Sequence, residues 1–276
     1  MTNQQTTYDP RLFQIAALTG LLAFGLGVLD FSVLPSVATV IVISALVIQL
    51  TLAGGRAGIY SALISALSLC LLLRTQSLEL AVLAALIAIG SKVVLKFRGQ
   101  HLFNPTAFAL VVVTTLFDGA WISPGQWGHT AYLLIAIVGF GSLVSSRASR
   151  LDISLMFIAA FAACCFIRAL YLGDPLAIPL HQLNSGALLI FAFFMISDPR
   201  TTPRSRIGRG LFAVVVAVAA ASIEFIYFRP NGAIYALVLC APLVPIINRY
   251  FPATPYTWPQ RREPLNPLSF FGVRHG

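Results

Sequence analysis

The sequence predicts an all-α membrane protein of about ten transmembrane helices, arranged as a 5+5 inverted repeat with interrupted helices. Three observations carry that expectation. Of 276 residues, 58% are hydrophobic and only 10% charged, against roughly 25% charged in an average soluble domain, so a water-facing globule would expose too much apolar surface. The apolar residues come in runs long enough to cross about 30 Å of hydrocarbon. The basic residues fall in alternate connections between those runs.

With about 20 apolar residues per crossing as the template, spans fall near residues 12–29, 36–53, 57–73, 78–95, 102–117, 130–146, 151–172, 183–197, 210–228 and 232–248. Helices are expected because they satisfy every backbone hydrogen bond within the segment, and the alternation of barrel strands is absent. The run from Leu12 to Leu29 follows a stretch with no basic residue and lacks an A-x-A cleavage site, so the first span is expected to remain. Counting Lys and Arg in alternate connections puts fifteen on one side and three (Arg74, Arg168 and Arg229) on the other. That asymmetry predicts a multi-pass protein of the bacterial cytoplasmic (inner) membrane with both termini cytoplasmic. The same scatter makes the net charge of +9 a matter of topology and gives no support to a nucleic-acid partner; the lipid bilayer is the expected environment. One polytopic domain over 1–250, with halves of about 1–128 and 129–250, and a Pro-rich cytoplasmic tail over 251–276 complete the expected organisation. Cys70, Cys164, Cys165 and Cys240 lie inside apolar runs with no C-x-x-C pair and read as buried small hydrophobes.

An odd number of spans per half would turn one half upside down relative to the other. Two pairs of segments carry traces of such a duplication. "NPTAFAL" from Asn104 and "RPNGAIYAL" from Arg229 place Pro105 and Pro230 125 residues apart, and "RAGIYSALISAL" from Arg56 and "NSGALLIFAFFM" from Asn184 place Gly58 and Gly186 128 apart. In such folds, short or Gly/Pro-interrupted segments mark helices that stop partway and leave their ends around a binding site. Span eight, Leu183 to Ser197, has about fifteen residues and covers roughly 22 Å, too little to cross alone as a straight helix. Its outer "NSG" end is then irregular backbone, tolerated at that depth only if protein or a cavity surrounds it.

"HLFNPTAFAL", "WISPGQWG", "SGALLIFAFFMISDPRTTP" and "PNGAIYALVLCAPLVPIIN" resemble the RnfD/NqrB family, membrane subunits of Rnf-type electron transport complexes and of the sodium-translocating NADH:quinone oxidoreductase. The resemblance covers about residues 90–250, and the FM-[IT]-[ST]-DP string is its most specific element. It implies ten helices in an inverted repeat and a flavin-carrying redox subunit. Family electron carriers hold FMN by a phosphoester to the threonine of an S-[GT]-A-T motif at the outer end of span eight. Here the string is Ser185, Gly186, Ala187, Leu188, and Leu188 has no hydroxyl, so covalent FMN is not expected. Bound flavin, FMN or riboflavin, would be non-covalent. Short stand-alone relatives of RnfD look like this chain in their "FNP…WISPGQWG" stretch.

Candidate cofactor-binding residues follow from these motifs. Asp198, with Ser197, Thr201, Asn104 and Pro105, either shapes a cytoplasmic pocket for the polar edge of a planar ligand, or simply ends a helix and neutralises Arg200 or Arg204. Asn104 is held extended by Pro105, which marks an interrupted entry or an ordinary first-turn proline. Ser185 and Gly186 either cradle a phosphate or cap a helix. No catalytic residue and no metal site are expected. Glu224, the one acid inside a span, is expected to pair with Arg168 or Arg229. Trp121 and Trp127 fit an interfacial belt in an outer loop, and the four histidines read as separate loop residues. With no G-x-G-x-x-G and no cysteine cluster, the chain is at most a membrane component of a translocase-type oxidoreductase, relaying electrons through a flavin or toward quinone with other Rnf/Nqr-like subunits. The alternative is an inverted-repeat transporter or channel for a small solute.

Overall fold

The computed structural model describes residues 9–28, 33–123 and 131–257. Helices start where the sequence supplies caps. Helix α1 (Pro10–Gly27) follows Asp9, whose carboxylate accepts the Arg11 N–H at 3.0 Å and pairs with its guanidinium at 2.6 Å. Burial alone would raise the Asp9 pKa, but these contacts outweigh it and hold the carboxyl below its ordinary range. Helices α1, α2 (Pro35–Thr51) and α5 (Pro105–Leu116) all open on a proline, whose missing N–H costs nothing in a first turn. Helices α4 (Leu78–Val94) and α10 (Arg206–Phe225) open on serines: the Ser77 and Ser205 hydroxyls accept the N–H groups of Leu80 and Gly208. A 3-10 turn at Gly55–Gly58 leads into α3 (Ile59–Leu72), and α6 (Ala131–Arg147) and α7 (Leu151–Leu172) follow. Helix α8 (Ala177–Leu183) precedes the segment predicted as span eight, which is α9 (Gly186–Ile190) continuing as a π-turn over Phe191–Met195. Helices α11 (Gly232–Cys240) and α12 (Leu243–Tyr250) complete the order.

Both faces of these helices are apolar, which is the signature of a lipid environment. On α10, Ile207, Leu211, Val214 and Val218 are exposed at helical spacing, while Phe212, Ala213, Val216, Ala217 and Ala220 are buried. Among the described residues, α1, α7 and α10 are each long and apolar enough to cross a membrane. The α8/α9 and α11/α12 segments pass the same test only as pairs, bent by 50° and 57°. The protein is a mostly helical membrane protein, and the apolar helix of span eight covers only Gly186–Met195, bent by 50° from α8 before it.

Helix packing follows a regular plan. In the first part α1 lies on α3, α2 on α4, and α4 on α5; in the second α6 lies on α9 and its π-turn, α7 on α10, and α10 on α11. Helices α5 and α11 meet between them. The α7–α10 contact carries an ion pair near the basic end, Asp152 accepting from Arg209 at 2.5 Å.

Several expectations need correction. The all-α class holds, but among the described residues four short strands, not expected from the sequence, join the helices: β1 (Leu73–Thr75), β2 (Lys96–Phe97), β3 (Gln100–His101) and β4 (Ala120–Ile122), paired antiparallel as β1–β4 and β2–β3. Their two- and three-residue lengths leave no period to read. They satisfy backbone at helix ends: Ser123 donates to the Leu72 carbonyl at 2.7 Å, where α3 stops inside the bundle. Trp121 therefore stands on strand β4 and not in a loop, and His181 lies in α8. Glu224 pairs with neither Arg168 nor Arg229. Its carboxylate accepts the Gly232 N–H at 2.8 Å, where the positive end of α11 attracts it, and Arg168 reaches Asp174 at 3.4 Å, just past its own helix. Of the cysteines, Cys164 is half-buried and the others buried. Trp127, His129, His275 and the tail beyond 257 lie outside the described residues; residues 251–257 form neither helix nor strand, and Tyr256 lies 5.4 Å from the Arg150 guanidinium.

The contact between α6 and the π-turn is close. A Cβ on Gly141 would sit 2.6 Å from the Phe193 ring, whereas one on Gly139, two residues earlier, meets nothing within 4 Å. Gly141→Ala is expected to destabilise by about 1–3 kcal/mol, and Gly139→Ala to be neutral or stabilising by up to about 1 kcal/mol, in thermal melts of the detergent-purified protein.

Candidate functional site

A helix that stops inside a membrane protein leaves its last carbonyls without intrahelical donors, and here side chains from other elements supply them. The Phe193 carbonyl accepts from Ser145 of α6 at 2.8 Å and also from Ser197. The Phe194 carbonyl accepts from Gln14 of α1 at 3.4 Å, and the Met195 carbonyl from Asn104 Nδ2 at 3.3 Å. The other end of the Asn104 amide accepts the Ala107 N–H at 3.0 Å and so caps α5. Asn104 thus ties the entry of α5 to the end of the π-turn, while Pro105 fixes its extended backbone. The chain then turns sharply: the Asp198 carbonyl accepts from Thr202 Oγ1 at 2.8 Å, and its carboxylate accepts the Arg200 N–H at 3.0 Å.

Beside this break lies a cavity of about 280 Å3, close to the lower end of ordinary small-molecule pockets. One face of α3 lines it with Ser61, Ser65 and Ser68, spaced i, i+4, i+7, so the polar stripe reaches roughly 10 Å into the bundle. Lys92 of α4 is only 6% exposed and donates to the Ser61 carbonyl at 2.8 Å and to its hydroxyl at 3.0 Å. An ammonium has three donors, so one N–H remains. Ser68 is 3% exposed and its hydroxyl has no hydrogen-bond partner among the described residues. His101 also lines the cavity, and its Nδ1 is buried without a partner among the described residues. Burial pushes His101 below the ordinary imidazole range; Asp198 pulls the other way, and Arg200, Lys92 and Lys96 push it further down.

Of the residues singled out in the sequence, Asn104, Pro105, Ser197 and Asp198 line this cavity together. Thr201 lies behind the wall, buried, with its hydroxyl 3.4 Å from the Asp198 carbonyl. Ser185 and Gly186 stand at the far end of α9, where the Ser185 hydroxyl accepts the Leu188 N–H at 3.4 Å in an ordinary helix cap. Asp198 makes no ion pair with Arg200 or Arg204 among the described residues; Arg204 turns instead to Gln100 at 2.9 Å. Sequence reasoning missed Lys92, His101 and the serines. Counting Lys92 as a topological charge hides it, although a lysine within an apolar run is itself a signal.

Residues 114–257 match the model of the NQR2, RnfD, RnfE family. The chain belongs to this family. Over 136 residues it is 31% identical to the RnfD component of the ion-translocating oxidoreductase complex of Citrobacter koseri and to that of Escherichia coli O81. That stretch is 49% of this chain and 38% of each relative's length. The NQR2, RnfD, RnfE match takes in α9, the π-turn and Asp198, while Ser61, Ser65, Ser68 and Lys92 lie before it.

The flavin attachment implied by the family does not fit at the N-terminal end of α9. Leu188 has no hydroxyl, its side chain is buried in the core, and its N–H is committed to Ser185. The cavity at the opposite end suits a polar-edged group better, since Lys92 and Ser68 present an unused N–H and an unpartnered hydroxyl there.

Because the folded chain holds His101 below the pKa of an unfolded histidine, folding resists a proton that the unfolded chain accepts. His101 therefore contributes no penalty above about pH 7 and a growing one as pH falls through about 6.5. His101→Gln is expected to flatten the decline in melting temperature between about pH 7.5 and 5.5; an unchanged slope contradicts this assignment.

Proposed function

We propose that the chain is the membrane subunit of an Rnf-type ion-translocating oxidoreductase, in a bacterial cytoplasmic membrane with its basic side and both termini in the cytoplasm. On this reading the cavity beside the π-turn holds a planar redox group, a non-covalently bound flavin or a quinone head. The observation that carries the proposal is Lys92, a buried lysine bonded to Ser61 in a polar cavity between apolar helices. Isolated buried cations are costly, and a ligand that gains negative charge on reduction offsets that cost.

A flavin or quinone supplies the electron-carrying chemistry when bound. The protein's own residues do the rest. Lys92 stabilises added negative charge, Ser68 and Ser65 offer hydrogen bonds along the cavity wall, and Asn104 and Ser197 hold the backbone that closes it. Partner subunits would provide the NADH-side chemistry, as the chain has no dinucleotide fingerprint.

The duplicated architecture belongs to the same proposal: two inverted halves, about 1–128 and 129–250, in one domain, followed by a cytoplasmic tail. The parallel packing plan of the two parts supports it, as do the capping serines Ser77 and Ser205, 128 residues apart like Gly58 and Gly186. A second reading, passage of a small uncharged or cationic solute, is favoured by the serine stripe running into the bundle, and uptake by proteoliposomes without an electron donor would support it.

The purified protein is expected to release flavin on denaturation or to bind a quinone saturably. Ser68→Leu, which fills the cavity, should abolish this, and Lys92→Met should lower the midpoint potential of the bound group by removing its compensating charge. Neither flavin nor quinone on the wild type, with the fold intact by circular dichroism, overturns the proposal.

A further inference from the structure

A second, smaller groove of about 90 Å3 opens on the basic side between the β2–β3 hairpin, the turn after Asp198 and α12. Four arginines from these three elements converge on it: Arg98, Arg200, Arg204 and Arg249. No carboxylate lines it, and none of the four makes a carboxylate ion pair among the described residues. Elsewhere on this side Arg56, Arg147 and Arg150 also lack a carboxylate partner among the described residues, but they do not line this groove, and the other described arginines are neutralised. Arg11 is paired with Asp9, and Arg206 and Arg209 share Asp152. A topological excess of positive charge explains why arginines lie on this side, but not why four without an anion share one small groove.

Two buried nitrogens in the groove lack partners among the described residues, Arg204 Nε and His101 Nδ1. An unmet donor in such a place is costly. Arg204 is otherwise fixed, its backbone N–H bound to Asn248 at 2.9 Å and its Nη2 to Gln100 at 2.9 Å. Arg98 adds a third observation. It occupies the first position of a two-residue hairpin turn with φ of +49°, followed by Gly99 at +78°, where asparagine would sit with less strain. The strained residue is one that brings charge to the groove.

We propose that this groove binds a phosphate group, carried either by an anionic phospholipid of the adjoining leaflet or by a soluble phosphomonoester. Guanidinium forks match phosphate oxygens in pairs, and the buried Nε–H of Arg204 gains the acceptor it lacks. The groove also has an apolar side, formed by Phe97, Val244 and Pro245. Close in sequence to its lining residues stand Val94, Ile246 and Tyr250, which are 77%, 53% and 74% exposed and offer apolar surface to a lipid tail. The groove shares His101 and Arg200 with the cavity beside the π-turn, while Arg98, Arg204 and Arg249 line the groove and not the cavity.

The test uses melting temperatures of the full chain with two probes. One arm compares nanodiscs of phosphatidylcholine alone with nanodiscs containing phosphatidylglycerol; the other adds inorganic phosphate in detergent against chloride at equal ionic strength. The double variant Arg98→Asn/Arg249→Gln removes two exposed charges, and asparagine relaxes the turn, so misfolding is not the expected consequence. A control, Arg56→Gln/Arg206→Gln, removes equal charge elsewhere on the same side. A stabilisation that survives in the control, and whose half-maximal probe content rises at least about tenfold in the double variant, supports the site. A response to phosphatidylglycerol alone assigns the phosphate to lipid, and a response to inorganic phosphate assigns it to a soluble ligand. No stabilisation in either arm, or equal loss in control and double variant, overturns the proposal.

Discussion

The carbonyl groups of Phe193, Phe194 and Met195 set the terms for the whole basic side of this protein. They belong to a helix that ends within an apolar bundle, where no water compensates an unmade hydrogen bond. Ser145, Ser197, Gln14 and Asn104 meet that demand. Because Gln14, Ser145 and Asn104 come from α1, α6 and the entry to α5, satisfying one helix end fixes the relative position of three other elements. The cavity is a consequence of this arrangement: polar groups drawn in to cap the π-turn leave polar walls around it.

Helix α3 solves the same problem by other means. Its last carbonyls, on Cys70 and Leu71, accept from the Arg74 guanidinium, and the Leu72 carbonyl accepts from the backbone beyond β4. A strand pair and a buried cation there do the work that four neutral side chains do at the π-turn. The packing of α1 on α3 and of α6 on α9 is alike, yet the two helix ends differ in chemistry, and the polar serines of α3 face the cavity beside the π-turn. The result is a polar, cation-lined space at one side.

Much of the helical plan was legible because apolar runs and basic connections are long-range, redundant signals. The shortness of span eight was legible from its apolar run, and the Asn104–Pro105 and Ser197–Asp198 motifs lie at the end where the cavity opens. Other features left no trace of that kind. Two- and three-residue strands have no measurable period, and Glu224 chose a helix N-terminus over either arginine because the geometry of α10 and α11 places it there. Lys92 is hidden by ambiguity: a lysine near a helix end serves topology as readily as a cavity, and only its burial and its bonds to Ser61 separate the two. The serine stripe is likewise unremarkable in sequence, since Ser in a membrane helix often bonds its own backbone, as Ser65 does to Ser61 at 3.1 Å.

The central claim is that the interrupted helix leaves a polar cavity open to the basic side and reaching Ser68. Single-cysteine labelling tests it most directly. With the four native cysteines replaced by alanine, Ser68→Cys in sealed vesicles of known orientation should react with a membrane-impermeant maleimide applied to the basic side and resist it from the other. Labelling from the opposite side, or no labelling from either while a cysteine at exposed Arg56 reacts, would contradict the account.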